Sequence, residues 1–516
     1  MAENNHYPIA GSDEELARFA ELQQTLVTQY KELWEDRGTW QTVVVVPSIS
    51  FDTALTDFFQ GLQFYEERML FMLMLLRNPR TRVVFITSHA IDPAIIDYYL
   101  HLLPGIPSRH AKQRLTFLSC QDSSSVPLTQ KILERRLLMQ RIKDAMGDPK
   151  TTHLACNNST HLERTLSVRL GIPLYGSDPA LGRLGSKSGG REIFKKMGVL
   201  APDGREDLYS KTDLVNSLAE LKQTHPNLQQ AVLKLNEGAS GAGNARFAFQ
   251  GAPDGEELSS WIANELPMRT QFEIEQETWP NYLEQFTKNG GIVECFLEAD
   301  EIRSPSVQGL VNPLGEVRLL STHDQVLGGP SGQIYLGCRF PADDIYRLEI
   351  QDAGLKVGQA LAENGAWGRF ALDFISTPKE AGGWENYAIE INLRRGGTTY
   401  PTQMLKYLTD GTYNSETGFF ETPTGHIPYY YASDNLESEK YKGLTPEDLI
   451  NILVEHNLSF HTAHQRGVVF HLIGALSELG KLGALCVAES PELAEEMFNE
   501  TMEILDREAE YCSLDV

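Results

Sequence analysis

Three oxygen-bearing side chains define the chemistry this chain could do. They are Asp373 in GRFALDF, residues 368–374, and Glu390 and Asn392 in YAIEINLRRGGTTYP, residues 387–401. Both runs read as strands, in which side chains alternate between two faces. Phe370, Leu372 and Phe374 then share one face, and Asp373 takes the other with Ala371 and Ile375. In the second run Tyr387, Ile389 and Ile391 form the apolar row, leaving Glu390 and Asn392 together on the opposite side. The intervening TPKEAGGWEN invites a turn centred near Ala381 and Gly382, which sets Asp373 directly across from Glu390. Facing carboxylates repel, so the patch requires a proton, a cationic neighbour or a metal. A hard divalent cation such as Mg²⁺ suits two carboxylates and an amide, and completes its shell with water and phosphate oxygens.

Phosphate binding needs cations and closely approaching backbone N–H groups, and both occur upstream. In YGSDPALGRLGSKSGGREIFKKMGV, residues 175–199, a helix begins near Ser186 with Lys187 in its first turn. A Lys there opposes the helix dipole, which points to an anion as its partner. The segment is not a P-loop, because Ser186 stands where that motif needs Gly before the Lys. In AVLKLNEGASGAGNARFAFQ, residues 231–250, two strands flank a loop that runs from Glu237 through Gly238, Ala239, Ser240 and Gly241 to Gly243. Its glycines let backbone donors reach phosphate oxygens, and Lys234 projects from the strand beside it.

The elements that must position these groups belong to a chain of 516 residues, which suggests about three domains. Hydrophobic residues make up 41% and charged residues 22%, as in a soluble globular protein. A formal net charge of −25 opposes nonspecific binding to nucleic acid or to an anionic membrane, so an anionic ligand must meet a local cluster of Lys and Arg. The six cysteines form no C-x-x-C pair and lie mostly in apolar runs, which predicts free buried thiols. With no secretory-type segment at MAENNHYPIAGSDEEL, a reducing, cytoplasmic setting is expected.

Residues 13–36 read as a helix, and strands follow at 41–47, 82–88, 115–120 and 152–157. Helices around 61–77, 92–103 and 127–146 separate them. Strands alternating with helices predict a parallel sheet with crossovers, and no G-x-G-x-x-G follows any strand, so no dinucleotide site is expected there. VECFLEADE, within 293–301, reads as a strand that exits into an acidic turn. A strand pair between 316 and 341 and a helix from about 343 to 364 lead back to the acidic hairpin. In the tail, 468–476 and 484–488 read as paired strands, and Ser490 caps a helix with Pro491 at its first position.

A Lys on a helix, a Lys on a strand, a Gly-rich loop, an acidic hinge strand, then Asp and E-x-N, in that order, resemble the ATP-grasp family. The resemblance implies α/β architecture, α+β in the ATP-binding part. The domains would be a lead-in α/β domain (1–175), an ATP-grasp domain (176–409) and a small C-terminal α+β domain (410–516). It implies ATP as co-substrate and Mg²⁺, or Mn²⁺ in its place, held by Asp373, Glu390 and Asn392. Glu294 and Leu297 would meet the adenine, Glu301 the ribose, and Lys187 and Lys234 the phosphates, with Gly238–Gly243 closing over them and Gly396 in the loop after the metal ligands. Many ligases of the family place an Arg two residues before the metal Asp, where this chain has Ala371. Arg394 and Arg369 are therefore the candidates to stabilise the reacting centre. The lead-in domain, the STHDQVLGGPSGQIYLGCRFPA run and the tail are similar to the pheganomycin-type peptide ligases. The implied reaction is ATP-dependent amide formation through an acyl phosphate, on amino-acid or peptide carboxylates and amines. A homo-oligomer is compatible with this reading, and a small-molecule kinase or a non-catalytic ATP-binding module are its alternatives. His323 is either the acceptor of the amine proton or a satisfied core residue.

Overall fold

The computed structural model describes residues 7–34, 38–50, 61–238, 243–274, 276–328 and 334–514. The first layer is a four-stranded parallel sheet of β1 (Gln41–Val46), β2 (Thr81–Thr87), β3 (Leu115–Ser119) and β4 (Thr152–Cys156), in the order β3-β2-β1-β4. Its continuous Val run is explained by burial on both faces. Val43 and Val45 pack with Leu70, Leu73 and the C-terminal strands, while Val44 and Val46 pack with Ile132, Ile142 and Leu166.

The helices differ from expectation in detail. The first is α-helical over Asp13–Gln29 and then widens into a π turn, Tyr30–Trp34. The second, Leu62–Arg77, follows a tighter 3₁₀ path. The helix expected over 127–146 is broken into Leu128–Leu133 and Arg136–Met146 by an extended Arg135. Two cations account for the break. Lys131 is 1% exposed and donates to the carbonyls of Asp122 and Ser124, at 2.7 Å each, and Arg135 donates to the Asp122 carboxylate at 2.7 Å.

A five-stranded antiparallel sheet follows: β5 (Gly204–Leu208), β6 (Gln230–Leu235), β7 (Asn244–Ala248), β8 (Thr270–Phe272) and β9 (Gly291–Cys295), in the order β5-β9-β6-β7-β8. Helices Lys211–Thr224, Glu257–Arg269 and Trp279–Asn289 bury their apolar sides with it around Leu218, Phe247, Ile262 and Phe286.

The next strands are β10 (Pro305–Val311), β11 (Val317–Gly328), β12 (Ile334–Phe340), β13 (Gly368–Pro378) and β14 (Trp384–Asn392). After a short hairpin of β15 (Thr412–Asn414) and β16 (Phe419–Glu421) come β17 (Tyr429–Glu437), β18 (Gly467–His471) and β19 (Lys481–Ala488). Apart from the hairpin, they form one eight-stranded sheet in the order β14-β13-β10-β11-β12-β17-β19-β18, antiparallel throughout. The strands of 410–516 thus extend the sheet that carries the acidic hairpin. Helix Arg347–Glu363 lies against β10 and β13, where a Cβ on Gly354 would come within 2.7 Å of Val307 and one on Gly358 within 2.9 Å of Phe370. Glycine is what permits that approach.

In the tail β18 ends at His471, short of the expected 476, because Leu472 adopts a left-handed conformation (φ 54°) that opens a short helical turn. Helix Pro491–Leu514 begins as expected, with Ser490 Oγ accepting from the Leu493 N–H. Cys120, Cys156, Cys295, Cys338 and Cys486 are free thiols. No helix among the described residues is long and apolar enough to cross a membrane.

Candidate active site

The β13–β14 hairpin sets Asp373 opposite Glu390, as the alternation and the Gly-Gly turn predict. A bulge follows immediately: Phe374 pairs with Ala388, so Ile389 is the extra residue on β14. Its effect corrects the expected apolar row. Ala388 and Ile391 enter the core with Phe370, Leu372 and Phe374, whereas Ile389 lines the same cleft as Glu390 and Asn392.

Both oxygens of Asp373 are engaged. Asn392 Nδ2 donates to Oδ2 at 2.9 Å and Gln325 Nε2, from β11, donates to Oδ1 at 3.0 Å. Glu390 Oε1 pairs with Lys187 Nζ at 2.6 Å. Burial, and then the Glu390 charge, hold the Asp373 carboxyl above the ordinary carboxylate range, whereas Lys187 holds Glu390 below it. One carboxylate thus leans toward a proton and the other toward a cation. Among the described residues no group of three or more Asp, Glu, His or Cys side chains could hold a metal; the hairpin brings together two carboxylates and the Asn392 amide. Such a set suits Mg²⁺ with phosphate oxygens completing the shell.

The hairpin faces a cleft of about 1470 Å³ that reaches both sheets and the N-terminal layer. Pockets for single ligands typically run from about 300 to 1,000 Å³. The space therefore accommodates a nucleotide together with further substrates. Lys187, Lys234, Gly238, Glu294, Leu297, Arg394 and Gly396 join Asp373, Glu390 and Asn392 in lining it. Lys187 opens helix Lys187–Met197 behind its N-cap Ser186, whose Oγ accepts from the Gly189 N–H at 3.1 Å. Lys234 stands at the end of β6, paired in register with Asn244 across the Gly-rich loop.

The hinge carries a network that sequence reasoning missed. Glu294 is 3% exposed, and its carboxylate accepts from Lys234 Nζ and, at 3.2 Å, from Arg191 Nη1. Its side chain is thus occupied by two buried cations, and Leu297 presents the neighbouring cleft surface. Arg191 could have been found only by placing it, with Lys187, on the inner face of one helix.

Other expected residues stand apart from the cleft lining. Glu301 is half exposed and accepts from Arg303 Nε at 2.8 Å. Glu237 is exposed and outside the lining; Gly243, half-buried, is outside it too, and its carbonyl accepts from the Leu235 N–H at 2.9 Å. Ala239, Ser240 and Gly241 lie outside the described residues. Arg369 is also off the lining; burial, then nearby Arg395, push its guanidinium down to about 10. Arg395 lines the cleft and donates to the Cys156 carbonyl, fastening the hairpin to the first sheet. His323 is a core residue: fully buried, it contacts Tyr430 Oη at 2.6 Å, and burial holds it down to about 3.

The family model described as IQCH-like, ATP-grasp matches residues 179–250 and 255–416, and the PGM1 C-terminal domain matches 448–501. L-propargylglycine–L-glutamate ligase of Streptantibioticus cattleyicolor is 30% identical over 464 residues, covering 88% of this chain and 92% of the relative. IQ motif-containing protein H of Danio rerio is 25% identical over 455 residues, and the match covers 79% of this chain and 42% of that protein. Two solved structures share the fold. The ADP complex of N5-carboxyaminoimidazole ribonucleotide synthetase matches with TM-score 0.50, 13% identity and coverage of 91% of this chain and 98% of that one. The biotin carboxylase domain of Hydrogenobacter thermophilus 2-oxoglutarate carboxylase, with MgADP and bicarbonate, matches with TM-score 0.52, 14% identity and coverage of 90% and 89%. With its acidic hairpin, its lysines and a relative matched along most of both lengths, this chain belongs to the ATP-grasp family and is a carboxylate–amine ligase that forms a carbon–nitrogen bond.

Proposed function

We propose that the chain joins the carboxylate of one amino acid or short peptide to the amine of another, with ATP converted to ADP and phosphate through an acyl phosphate. The observation that carries this reading is the Asp373–Glu390 pair, set across β13 and β14 and flanked by Asn392 and Lys187 in a cleft large enough for nucleotide and substrates. Asp373, Glu390 and Asn392 would hold Mg²⁺, which when bound offsets charge on the β- and γ-phosphates.

The protein's own side chains supply the rest. Lys187 and Lys234, now resting on Glu390 and Glu294, turn toward the phosphates and stabilise the charge that grows on departing ADP. The substrate carboxylate oxygen attacks the γ-phosphorus, the bond to the ADP oxygen breaks, and a mixed anhydride forms. The amine then adds to the acyl carbon, and Arg394 at the cleft wall stabilises the tetrahedral oxyanion. Collapse expels phosphate, and the nitrogen gives its proton to that departing phosphate. The backbone around Glu294 and Leu297 receives the adenine, and Glu301, released from Arg303, takes the ribose hydroxyls.

The test is ADP release screened over pairs of amino acids and short peptides, with product masses measured and hydroxylamine offered in place of the amine. The expected result is ADP, a hydroxamate with the cognate carboxylate, and an amide with the cognate amine. Release of AMP would overturn the mechanism, and ADP with a phosphorylated alcohol would make the chain a kinase.

A further inference from the structure

A group of cations gathers on the sheet face that carries Asp373, beyond the residues that the reaction above uses. Arg369 precedes Asp373 by four residues on β13, about 13 Å along that face. The register sets Arg369, Leu310 and Arg318 in one row across β13, β10 and β11. Helix Thr399–Thr409 lies over the same face: Thr402 Oγ1 is 3.2 Å from Ser321 Oγ of β11, and Lys406 follows one helical turn later. From the loop after β14, Arg395 reaches in to the Cys156 carbonyl. Arg369, Arg395 and Lys406 thus converge from a strand, a loop and a helix.

The three have no countercharge. The full charge that acts on Arg369 is that of Arg395, and those that act on Lys406 are Arg369 and Arg318. Among the described residues no carboxylate pairs with any of the three, in a chain with 70 acidic side chains against 45 basic ones. Carboxylates at the edge of the group are taken by other cations, Glu316 by Arg318 at 3.3 Å and Asp410 by Arg77. A structural arginine spends its five N–H donors on carboxylates and carbonyls. The Arg369 guanidinium makes no hydrogen bond to the described residues, and Arg395 Nε is buried without one. Like charges held together repel, and an anion among them relieves the repulsion. Only Arg395 of the three lines the cleft, whereas Arg369 is half-buried and Lys406 is exposed, so the group is also reached from solvent past Lys406.

We propose that Arg369, Arg395 and Lys406 form a second anion site, apart from the lysines assigned to ATP, that takes one compact oxyanion, a phosphate or a carboxylate group. Guanidinium forks match the oxygens of either, and the Lys406 ammonium adds a point charge from the open side. Two sources share this chemistry. One is a free ion that enters from solvent past Lys406. The other is a second anionic group on the molecule whose carboxylate is activated, entering through the cleft past Arg395. The site itself does not depend on the ligase reading, and only the second source rests on it. The backbone separation of about 13 Å from Asp373, shortened by the reach of the arginine side chains, suits a small molecule with two anionic ends.

The experiment titrates inorganic phosphate into the full-length protein and follows the thermal midpoint, with chloride at equal ionic strength as the reference. The wild-type midpoint is expected to rise with phosphate and not with chloride. Lys187→Gln, which alters a lysine assigned to ATP, should keep that rise. Arg369→Gln and Lys406→Gln should each need about tenfold or more phosphate for the same rise, as loss of a charge-assisted hydrogen bond implies. Without phosphate both variants should unfold at or above the wild-type midpoint, because each removes a cation that its neighbours repel. No phosphate response in wild type, a response that survives both substitutions, or a phosphate-free midpoint that falls in both would overturn the site. The source is read from hydroxamate formation with aspartate, glutamate and O-phosphoserine against asparagine, glutamine and serine. A preference for the doubly anionic donors that both variants lose places the anion on the donor, and a flat ratio beside an intact phosphate response assigns the site to a free ion. Absence of any hydroxamate with an intact phosphate response removes the ligase reading and keeps the site.

Discussion

Glu294→Gln separates two roles for the hinge carboxylate. The side chain is 4% exposed and lies between Lys234 and Arg191, themselves 9% and 5% exposed. The amide keeps the shape but leaves buried Lys234 without its countercharge and Arg191 with Glu206 alone, at 3.3 Å. Removing one partner from a buried ion pair costs about 3–5 kcal/mol, and one retained hydrogen bond puts the expectation near the lower end, about 3 kcal/mol. For a cooperative unit of about 150–250 residues, each kcal/mol moves the midpoint by about 2–4 °C, so unfolding should shift down by about 6–12 °C. ATP brings negative charge to Lys234, so saturating Mg-ATP should raise the variant's midpoint by more than it raises the wild type's. Scanning calorimetry with and without nucleotide measures both quantities. An unchanged midpoint together with weakened ATP binding would refute the reasoning, since it would mean that the carboxylate serves the adenine rather than the two cations.

Three further outcomes are expected. Asp373→Asn and Glu390→Gln should each remove most turnover and raise the Mg²⁺ concentration needed for what remains; near-normal rates at low Mg²⁺ in both would dismantle the metal assignment. Arg394→Met should lower hydroxamate formation by about 10²–10³, as loss of an oxyanion donor does, and by at least about tenfold more than Arg369→Met, whose guanidinium is off the cleft lining. Glu67 is buried, with Oε2 on the Gly474 N–H at 3.0 Å, and burial raises its carboxyl to about 7. The folded state therefore holds a proton that the unfolded state releases between the ordinary 4.5 and about 7, so stability falls as pH rises through that window. Relative to wild type, Glu67→Gln should gain up to about 3 kcal/mol between pH 4.5 and pH 8, read from midpoints at both ends; a pH-independent difference would refute it.

What the sequence made legible was local. Alternation placed Phe370, Leu372 and Phe374 against Asp373, and the Gly-Gly turn fixed the register that brings Glu390 opposite. The first sheet was equally plain, because Val43 to Val46 need cover on both faces. The Ile389 bulge was not legible, since a single inserted residue leaves no trace in a period of two and is decided by packing on the far strand. Nor was the Glu294 network, whose partners lie 60 and 103 residues away in sequence. Gln325, which ties down Asp373 from β11, was hidden for the same reason: a polar residue in an amphipathic strand does not announce which neighbouring strand it will meet.

The eight-stranded sheet makes the acidic hairpin and the chain's last strands parts of one hydrogen-bonded body. A polypeptide cut after residue 409 would keep every side chain assigned here to ATP and metal, yet it would leave β12 as a naked edge. The ladder from Gly337–Ser433 to Phe340–Tyr430 would be unmade, and Phe340, which stacks on Tyr430 at 4.8 Å, would face water. Such an edge is a template for pairing with another chain. The smallest soluble catalytic unit therefore extends through β19, and a graft of the ATP-binding segment alone would inherit an aggregation-prone seam rather than a working enzyme.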